Sequence, residues 1–215
     1  MTPRAVLFDC DGVLVDSEPA TFDLLAEDMA AHGLPLTHSE MDALFLGGTI
    51  PGVFIKAREL GAALPDDWVD TFYERLYDRL AQGTELIPGI ADVLDALDRA
   101  GIHYAVGSNG SQRKMQVTLG QHPEIIGRLN GRLFSGQEIG KPKPAPDLYL
   151  LAASALGQKP EHCVVVEDSS TGARAAAAAG MRCYGYAADG DGAKLKAAGA
   201  IVFHSMSDLP GLLGL

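Results

Sequence analysis

The chain has 215 residues and a formal net charge of −11, because 28 aspartates and glutamates outnumber 17 lysines and arginines. Affinity for a nucleic-acid backbone depends on clustered Lys and Arg side chains, so this charge balance argues against a nucleic-acid binder. Hydrophobic residues make up 47% of the chain, but no apolar run approaches the roughly 18 residues of a membrane-spanning helix, which argues against an integral membrane protein.

The first predicted element is a short buried strand, Ala5–Phe8, that ends on two carboxylates. Asp9 and Asp11 follow it, with Gly12 next. Side chains alternate between the faces of an extended chain, so the two carboxylates can point into one crevice. Like charges this close repel each other unless a cation or a proton compensates them. An Asp-rich turn is the simpler alternative, and the rest of the chain decides between the two.

A helical block follows the first strand, over residues 17–84. Apolar residues recur there at helical spacing in four segments, which include Phe22, Ser39, Pro51 and Trp68. These stripes are typical of helices that pack on one another, and no strand is needed to explain them. The sequence therefore predicts a helical domain inserted after the first strand.

From residue 85 onward, strands alternate with helices. The predicted strands are 102–107, 132–135, 163–166, 182–186 and 200–203, and the predicted helices are 90–100, 112–119, 147–156, 172–179 and 206–213. Such alternation indicates parallel βαβ units. The predicted fold class is α/β, a doubly wound parallel, Rossmann-like sheet with an inserted helical cap domain. Residues 1–16 and 85–215 would form the core domain, and residues 17–84 the cap domain.

Polar clusters lie at the carboxyl ends of three predicted strands, where an open parallel sheet places its site. They are Asp9 with Asp11, Ser108 with Asn109, and Glu167 with Asp168. A fourth segment, residues 140–147, carries Lys141 and Lys143 among prolines. Each cluster alone is explained as a turn, a helix cap or a surface charge. Together they supply carboxylates for a hard cation, a hydroxyl and an ammonium for anionic oxygens, and a carboxylate nucleophile.

This order of motifs resembles the haloacid dehalogenase-like superfamily, in the phosphatase and phosphomutase branch with a helical cap after the first strand. The matching segments are DCDGVLVDS at 9–17, SNG at 108–110, KPAPD at 143–147 and EDSSTG at 167–172. The resemblance covers essentially the whole chain. Lys141 also fits a Gly-Lys-Pro pattern, but Lys143 directly precedes Pro-Ala-Pro-Asp and is the preferred lysine.

The resemblance implies a phosphomonoesterase that works through an aspartyl-phosphate. Asp9 is expected to attack phosphorus in line. Asp11 is expected to protonate the leaving alkoxide and later to take a proton from the attacking water. A true dehalogenase needs no such second aspartate, so the presence of Asp11 favours phosphoryl transfer.

The resemblance also implies a Mg²⁺ cofactor and a phosphate-binding set. The expected Mg²⁺ ligands are Asp9, the carbonyl of Asp11, Asp168, and Glu167 as a direct ligand or as support. Lys143 and Ser108, with its neighbour Asn109, are expected to bind the phosphoryl oxygens and stabilise the transition state. The metal would also explain how paired carboxylates are tolerated at the end of a buried strand.

Two alternatives stay open. β-Phosphoglucomutase has the same fold and cap, but its family carries a histidine where this chain has Thr21 and an arginine where this chain has Ile50. We therefore predict a phosphatase for a small phosphorylated metabolite, a sugar phosphate or a sugar-acid phosphate, and keep the mutase as the alternative. A receiver-like phospho-signalling domain also combines carboxylates with Mg²⁺, but such modules are shorter and lack the helical insertion.

Substrate selection is expected to depend on the cap domain, at Gly47, Gly48 and Arg75, although Arg75 fits a solvated helix charge equally well. The N-terminal residues show no signal-peptide pattern, and the 3 cysteines have no C-x-x-C spacing. We therefore expect a cytoplasmic protein without a disulfide framework. Its expected partner is a small phosphomonoester, with no nucleic-acid or membrane partner, and we expect a monomer.

Overall fold

The computed structural model describes residues 2–45 and 49–215. Backbone contacts divide the chain into two units, one formed by Met1–Asp16 and Thr84–Leu215 and the other by Ser17–Gly83. We call them the sheet unit and the helical unit. Over residues 2–45 and 49–215, no helix combines the length and the apolar character that crossing a membrane requires.

The helical unit contains helices α1 (Glu18–Ala31), α2 (His38–Phe45), α3 (Ile50–Glu59) and α4 (Trp68–Ala81). The described part of this unit contains no strand, as predicted. Trp68 and Phe72 are buried on α4 with ring centroids 4.9 Å apart, and Leu25 and Met29 are buried on α1. The predicted apolar stripes therefore supply the buried side chains of this unit.

The sheet unit contains six parallel strands, β1 (Ala5–Phe8), β2 (His103–Ser108), β3 (Leu133–Ser135), β4 (Cys163–Glu167), β5 (Arg182–Tyr186) and β6 (Ile201–Phe203). Their spatial order is β3-β2-β1-β4-β5-β6. The strand order therefore reverses between β1 and β4, which is the position where doubly wound sheets bind their ligands. The predicted doubly wound parallel sheet is confirmed.

Helices of the sheet unit are α5 (Ile90–Ala100), α6 (Gln112–Leu119), α7 (Pro123–Ile126), α8 (Asp147–Ala155), α9 (Ser170–Ala178), α10 (Ala193–Ala197) and α11 (Leu209–Leu213). α7 and α10 lie outside the predicted elements. They have 4 and 5 residues, which is too short for a helical period of apolar residues to be visible in the sequence.

The central strand β1 is buried on both faces. Val6 and Phe8 belong to one hydrophobic cluster, Ala5 and Leu7 to the other, and all four are fully buried. Strands covered on both faces have continuous apolar sequences instead of alternating ones. This explains why β1 contains no polar side chain before Asp9.

The register of the sheet aligns the ends of the central strands. Phe8 is level with Val106 on β2 and with Val166 on β4. The next residues after β1 and after Val166 are Asp9 and Glu167, so both carboxylates leave the sheet at one edge. The hydrogen bond of 2.9 Å from the Asp9 N–H to the Val166 carbonyl fixes this arrangement.

Candidate active site

Lys143 is the cation that joins the ends of β1 and β4. Its side chain is 3% exposed, and Nζ donates hydrogen bonds to Oδ1 of Asp9 at 2.5 Å and to Oε1 of Glu167 at 2.7 Å. Lys141 instead pairs with Asp147 at 2.5 Å, and its side chain is 63% exposed. The geometry therefore separates the two candidate lysines, because Lys143 contacts the strand-end carboxylates and Lys141 faces solvent.

Glu167 is a fully buried carboxylate with donors on both oxygens. Besides Lys143, the Tyr149 hydroxyl donates to Oε1 at 2.8 Å. The N–H and the hydroxyl of Ser169 donate to Oε2 at 3.0 and 2.8 Å. Gly172 makes room for this carboxylate, because a Cβ at residue 172 would lie 1.6 Å from Oε1. Burial raises the pKa of Glu167, but Lys143 and the other donors lower it by more, so the net shift is downward.

Asp9 is a buried carboxylate whose charge depends on its neighbours. Burial raises the pKa of Asp9, the ammonium of Lys143 lowers it, and the carboxylates of Glu167 and Asp11 raise it again, giving a pKa of about 7. Burial lowers the pKa of Lys143, but the two carboxylates that it contacts outweigh burial and raise it. The cluster therefore holds more negative charge than one ammonium compensates, and a bound cation would favour the ionised form of Asp9.

The loop after β2 fixes the segment that carries Lys143. The side-chain amide of Asn109 donates to the carbonyl oxygen of Lys143 at 3.2 Å, and the Lys143 N–H donates to Oδ1 of Asn109 at 2.7 Å. Ser108 is buried, and its Oγ accepts a hydrogen bond of 2.9 Å from the Gly110 N–H. Asn109 thus binds the backbone of Lys143 itself, and its predicted contact with substrate stays a prediction.

Asp11 has a second lysine beside it. Nζ of Lys114, in the first turn of α6, forms an ion pair of 2.8 Å with Oδ1 of Asp11. Burial lowers the pKa of Lys114, the attraction of Asp11 raises it, and the net shift is upward. The two carboxylates of the D-x-D motif are therefore bound by different lysines, Asp9 by Lys143 and Asp11 by Lys114.

Three carboxylates of the sheet unit are grouped closely enough to hold a metal ion. Asp9, Glu167 and Asp168 each offer one oxygen, and these oxygens lie within 4.8 Å of one another. Gly12 leaves room for Asp168, because a Cβ at residue 12 would lie 2.0 Å from Oδ2 of Asp168. Carboxylate oxygens are the donors that Mg²⁺ prefers. The donor set therefore fits a hard divalent cation.

The ligands within this set are not equivalent. Both oxygens of Glu167 already accept hydrogen bonds from Lys143, Tyr149 and Ser169, which leaves Asp9 and Asp168 as the better carboxylate ligands. Asp11 is not part of this group of side chains, and its predicted contribution to metal binding is through the backbone carbonyl.

The predicted substrate-selecting residues belong to the helical unit. Gly47 and Gly48 lie outside the described residues. Nη1 of Arg75 forms an ion pair of 2.5 Å with Oδ1 of Asp28, whose Oδ2 accepts a hydrogen bond of 2.9 Å from the Trp68 indole. Arg75 is 49% exposed at its side chain, but Asp28 is buried. The guanidinium therefore compensates a buried carboxylate within this unit.

Thr21 and Ile50, the positions from which the sequence predicts a phosphatase and not a mutase, also lie in the helical unit. The Thr21 hydroxyl donates to the Ser17 carbonyl at 2.8 Å within the same chain segment. Ile50 is the first residue of α3. Neither side chain can supply the imidazole or the guanidinium of the mutase family.

Sequence reasoning overlooked three side chains that contact the strand-end carboxylates, namely Lys114, Tyr149 and Ser169. Tyr149 lies inside α8, where an aromatic side chain is typical of a core position, and its hydroxyl gives no separate signal. Ser169 fits a helix cap, and it does cap α9 by accepting from the Gly172 N–H at 3.0 Å. The spacing of Lys114 from the S-N-G segment was the one available signal, because it places a lysine in the first turn after a strand-end loop.

Comparisons with known proteins agree with this geometry. A family model described as a haloacid dehalogenase-like hydrolase matches residues 3–180. The 6-phosphogluconate phosphatase of Escherichia coli (strain K12) is 31% identical over 211 residues, covering 97% of this chain and 94% of the relative. Hexitol phosphatase A of the same organism shows the same identity over 211 residues, with 97% and 94% covered. A solved HAD family hydrolase from Deinococcus radiodurans R1, with bound phosphate and sodium, is 34% identical with a TM-score of 0.81, covering 99% of this chain and 96% of that one.

Proposed function

The chain belongs to the haloacid dehalogenase-like hydrolase family, and from this premise we propose that it is a Mg²⁺-dependent phosphatase of a small phosphorylated metabolite. The observation that carries the proposal is the contact of Asp9 with Lys143, which joins a carboxylate nucleophile to a buried ammonium at a strand end. The names of the two Escherichia coli relatives support a sugar phosphate or a sugar-acid phosphate as the substrate class. The predicted hydrolase class is confirmed by the family match.

The first step transfers the phosphoryl group to Asp9. A carboxylate oxygen of Asp9 forms a bond to phosphorus while the bond from phosphorus to the ester oxygen breaks, which gives an aspartyl-phosphate. Asp11 donates its proton to the departing alkoxide, so the product leaves as a neutral alcohol. Asp11 is then a carboxylate, and its ion pair with Lys114 stabilises that form.

The second step hydrolyses the aspartyl-phosphate. Asp11 accepts a proton from water while the water oxygen attacks phosphorus and the bond from phosphorus to the Asp9 oxygen breaks. Inorganic phosphate and the carboxylate of Asp9 are released, and Asp11 is protonated for the next cycle. The same carboxyl group therefore acts first as acid and then as base.

Lys143 stabilises the negative charge that develops on the transferring oxygens, with the hydroxyl of Ser108 as a second donor. Glu167 keeps Lys143 ionised and in place through the 2.7 Å contact. Asp9, the carbonyl of Asp11 and Asp168 would hold Mg²⁺, which when bound neutralises charge on the phosphoryl oxygens. We assign Glu167 to support of Lys143, because its oxygens are already used by protein donors.

Selection of the alcohol part of the substrate is assigned to the cap domain, residues 17–84, as the sequence predicts. Arg75 is engaged by Asp28, which favours a structural role for this arginine over a contact with substrate. We also propose that the protein acts as a monomer in the cytoplasm. Size-exclusion chromatography with light scattering tests the monomer.

Phosphate release tests the proposed function. Sugar phosphates, sugar-acid phosphates, nucleotides and β-glucose 1-phosphate are incubated with and without Mg²⁺, and the organic products are identified in parallel. We expect Mg²⁺-dependent release from one compound class, loss of release in Asp9→Asn, and normal release in the control Asp66→Asn, whose side chain is 93% exposed. Conversion of β-glucose 1-phosphate to its 6-phosphate with little free phosphate would instead identify a mutase.

A further inference from the structure

Lys114 lies beside the carboxylate that exchanges protons in the proposed reaction. Its ammonium forms the 2.8 Å ion pair with Oδ1 of Asp11, and its side chain is 15% exposed. A lysine on a helix surface normally lays its four-carbon stem along apolar surface and keeps its ammonium in water. Here the stem is directed into the sheet unit and the charge is largely shielded from water, so the contact is a specific one and not a screened surface pair.

Hydrogen bonds fix the backbone at the start of α6 and in the loop before it. Ser111 caps α6 and accepts a hydrogen bond of 3.1 Å from the N–H of Lys114, which fixes the start of the helix. Ser135 donates its hydroxyl hydrogen to the Gly110 carbonyl at 2.8 Å, which ties the preceding loop to β3. The position of the Lys114 backbone is therefore fixed by hydrogen bonds that do not involve Asp11.

Gly110 lies next to the side chains of Lys114 and Asp11. A Cβ at residue 110 would lie 3.2 Å from Oγ of Ser108, 3.4 Å from Cδ of Lys114 and 3.6 Å from Oδ2 of Asp11. A Cβ here would crowd Oγ of Ser108 and would touch Lys114 and Asp11 at van der Waals distance, so glycine leaves the contact between these two side chains uncrowded. Gly110 has no positive φ, so the need for glycine here comes from space and not from backbone conformation.

The two lysines of the cluster have separate partners. Lys143 donates to Asp9 and Glu167, and Lys114 pairs with Asp11. Asp11 lies three residues beyond Phe8, the last residue of β1, and pairs with Val15 in an isolated bridge, which fixes its backbone but not the direction of its side chain. Proton transfer requires an oxygen of Asp11 to come within about 2.6 to 3.2 Å of the leaving oxygen, and a displacement of about 1 Å can cost a factor of 100 in rate.

We propose that Lys114 is a positioning residue that holds the Asp11 carboxyl group within reach of the leaving oxygen, where it exchanges protons in its acid and its base form. The proposal rests on the proposed function, in which Asp11 is the acid. Lys114 acts through Asp11 and takes no part in bonding to phosphorus. Its loss therefore affects esters whose alcohol needs a proton to depart, and it leaves esters with a good leaving group nearly unaffected.

The test compares phenyl phosphate with p-nitrophenyl phosphate, two esters of similar size. p-Nitrophenolate is a much weaker base than phenolate and departs without protonation. We expect Lys114→Met to lower kcat/KM for phenyl phosphate by about 10- to 100-fold and for p-nitrophenyl phosphate by less than about 3-fold. Lys114→Arg keeps a cation and should restore most of the phenyl phosphate activity. Lys194→Met, the same change at an exposed lysine of α10, should leave both esters unchanged.

The ratio of the two kcat/KM values does not depend on the fraction of folded enzyme, so partial misfolding of Lys114→Met cannot produce the expected change. An equal loss on both esters, with a raised KM, would mean that Lys114 binds the phosphoryl group directly and would overturn the proposal. A further selective loss when Lys114→Met is added to Asp11→Asn would also overturn it, because no acid is left to position. Failure of the wild type to hydrolyse any phosphomonoester with Mg²⁺ would overturn the proposed function and this inference together.

Discussion

The hydroxyl of Tyr149 donates a hydrogen bond of 2.8 Å to Oε1 of Glu167, and the Tyr149 ring centroid lies 4.9 Å from Nζ of Lys143. Tyr149 is fully buried. The acceptor of its hydroxyl is Glu167, and not Asp9 or Asp11. Its closest contacts in the site are therefore with Glu167 and Lys143. A side chain of α8 therefore supports the residues of the candidate active site without belonging to its predicted set.

Tyr149→Phe should destabilise the protein and slow it. The change removes one donor from a buried charged acceptor, which costs about 1.5 to 3 kcal/mol in the free energy of unfolding. Lys143 and Ser169 still bind Glu167, so we expect kcat to fall by about 10-fold and not to vanish. Urea denaturation and phosphate release measure the two effects.

Tyr104→Phe is the matched control for this change. The Tyr104 ring is also buried, and its hydroxyl donates to Oδ1 of Asp98 at 3.0 Å, outside the strand-end cluster. It should lower stability without lowering kcat. Equal kcat values for Tyr149→Phe and Tyr104→Phe would show that the hydroxyl of Tyr149 has no part in supporting Lys143.

Lys143→Met should abolish most activity, whereas Lys141→Met should not. Lys143→Met removes the cation from two buried carboxylates, and loss of one partner of a buried ion pair costs about 3 to 5 kcal/mol. Loss of a donor to the transferring oxygens adds a decrease of about 100- to 1,000-fold in kcat. Lys141 is 63% exposed. Its replacement should change the free energy of unfolding by no more than about 1 kcal/mol and kcat by no more than about twofold. A greater loss in Lys141→Met than in Lys143→Met would reverse the assignment.

Asp168→Asn should weaken metal binding. One ligand charge is removed from the group of Asp9, Glu167 and Asp168, and we expect the Mg²⁺ dissociation constant from calorimetry to rise by about 10- to 100-fold. Asp189→Asn removes an exposed carboxylate just after β5 and serves as the control. If calorimetry gave the same Mg²⁺ affinity for Asp168→Asn as for the wild type, the ion would have to bind elsewhere.

The sequence predicts the fold because its central strands are easy to recognise. β1 and β4 are continuous apolar runs that end on carboxylates, and the Gly and Pro residues between elements mark where helices stop. The same pattern singles out Asp9, Asp11 and Glu167, because polar groups at strand ends in a parallel sheet converge on one edge. Lys143 lies in a separate segment, and its choice over Lys141 comes from the family resemblance.

The supporting contacts could not be predicted in this way. Tyr149 follows helical periodicity like any core residue, and the ion pair of Lys114 with Asp11 joins two elements that the sequence does not show to be neighbours. Such contacts depend on where helices pack on the sheet, and spacing within one helix does not determine that. Arg75 shows the same limit, since nothing in the local sequence identifies Asp28, far away along the chain, as its partner.

Arg75→Met separates a structural role for this arginine from a role in substrate binding. The change leaves the buried carboxylate of Asp28 with the hydrogen bond from the Trp68 indole but without its cation, so we expect a loss of about 1 to 3 kcal/mol in the free energy of unfolding. KM for the preferred substrate should stay within about twofold if the role of the guanidinium is to pair with Asp28.

The double variant Asp28→Leu with Arg75→Met decides the matter. Removing both charges leaves no unpaired carboxylate, and apolar replacement of a buried ion pair is often close to neutral, although the Trp68 indole then loses its acceptor. We therefore expect the double variant to be more stable than Arg75→Met alone, with a coupling energy of about 0.5 to 3 kcal/mol between the two positions. A tenfold rise in KM for both variants, with additive stabilities, would instead assign Arg75 to the substrate.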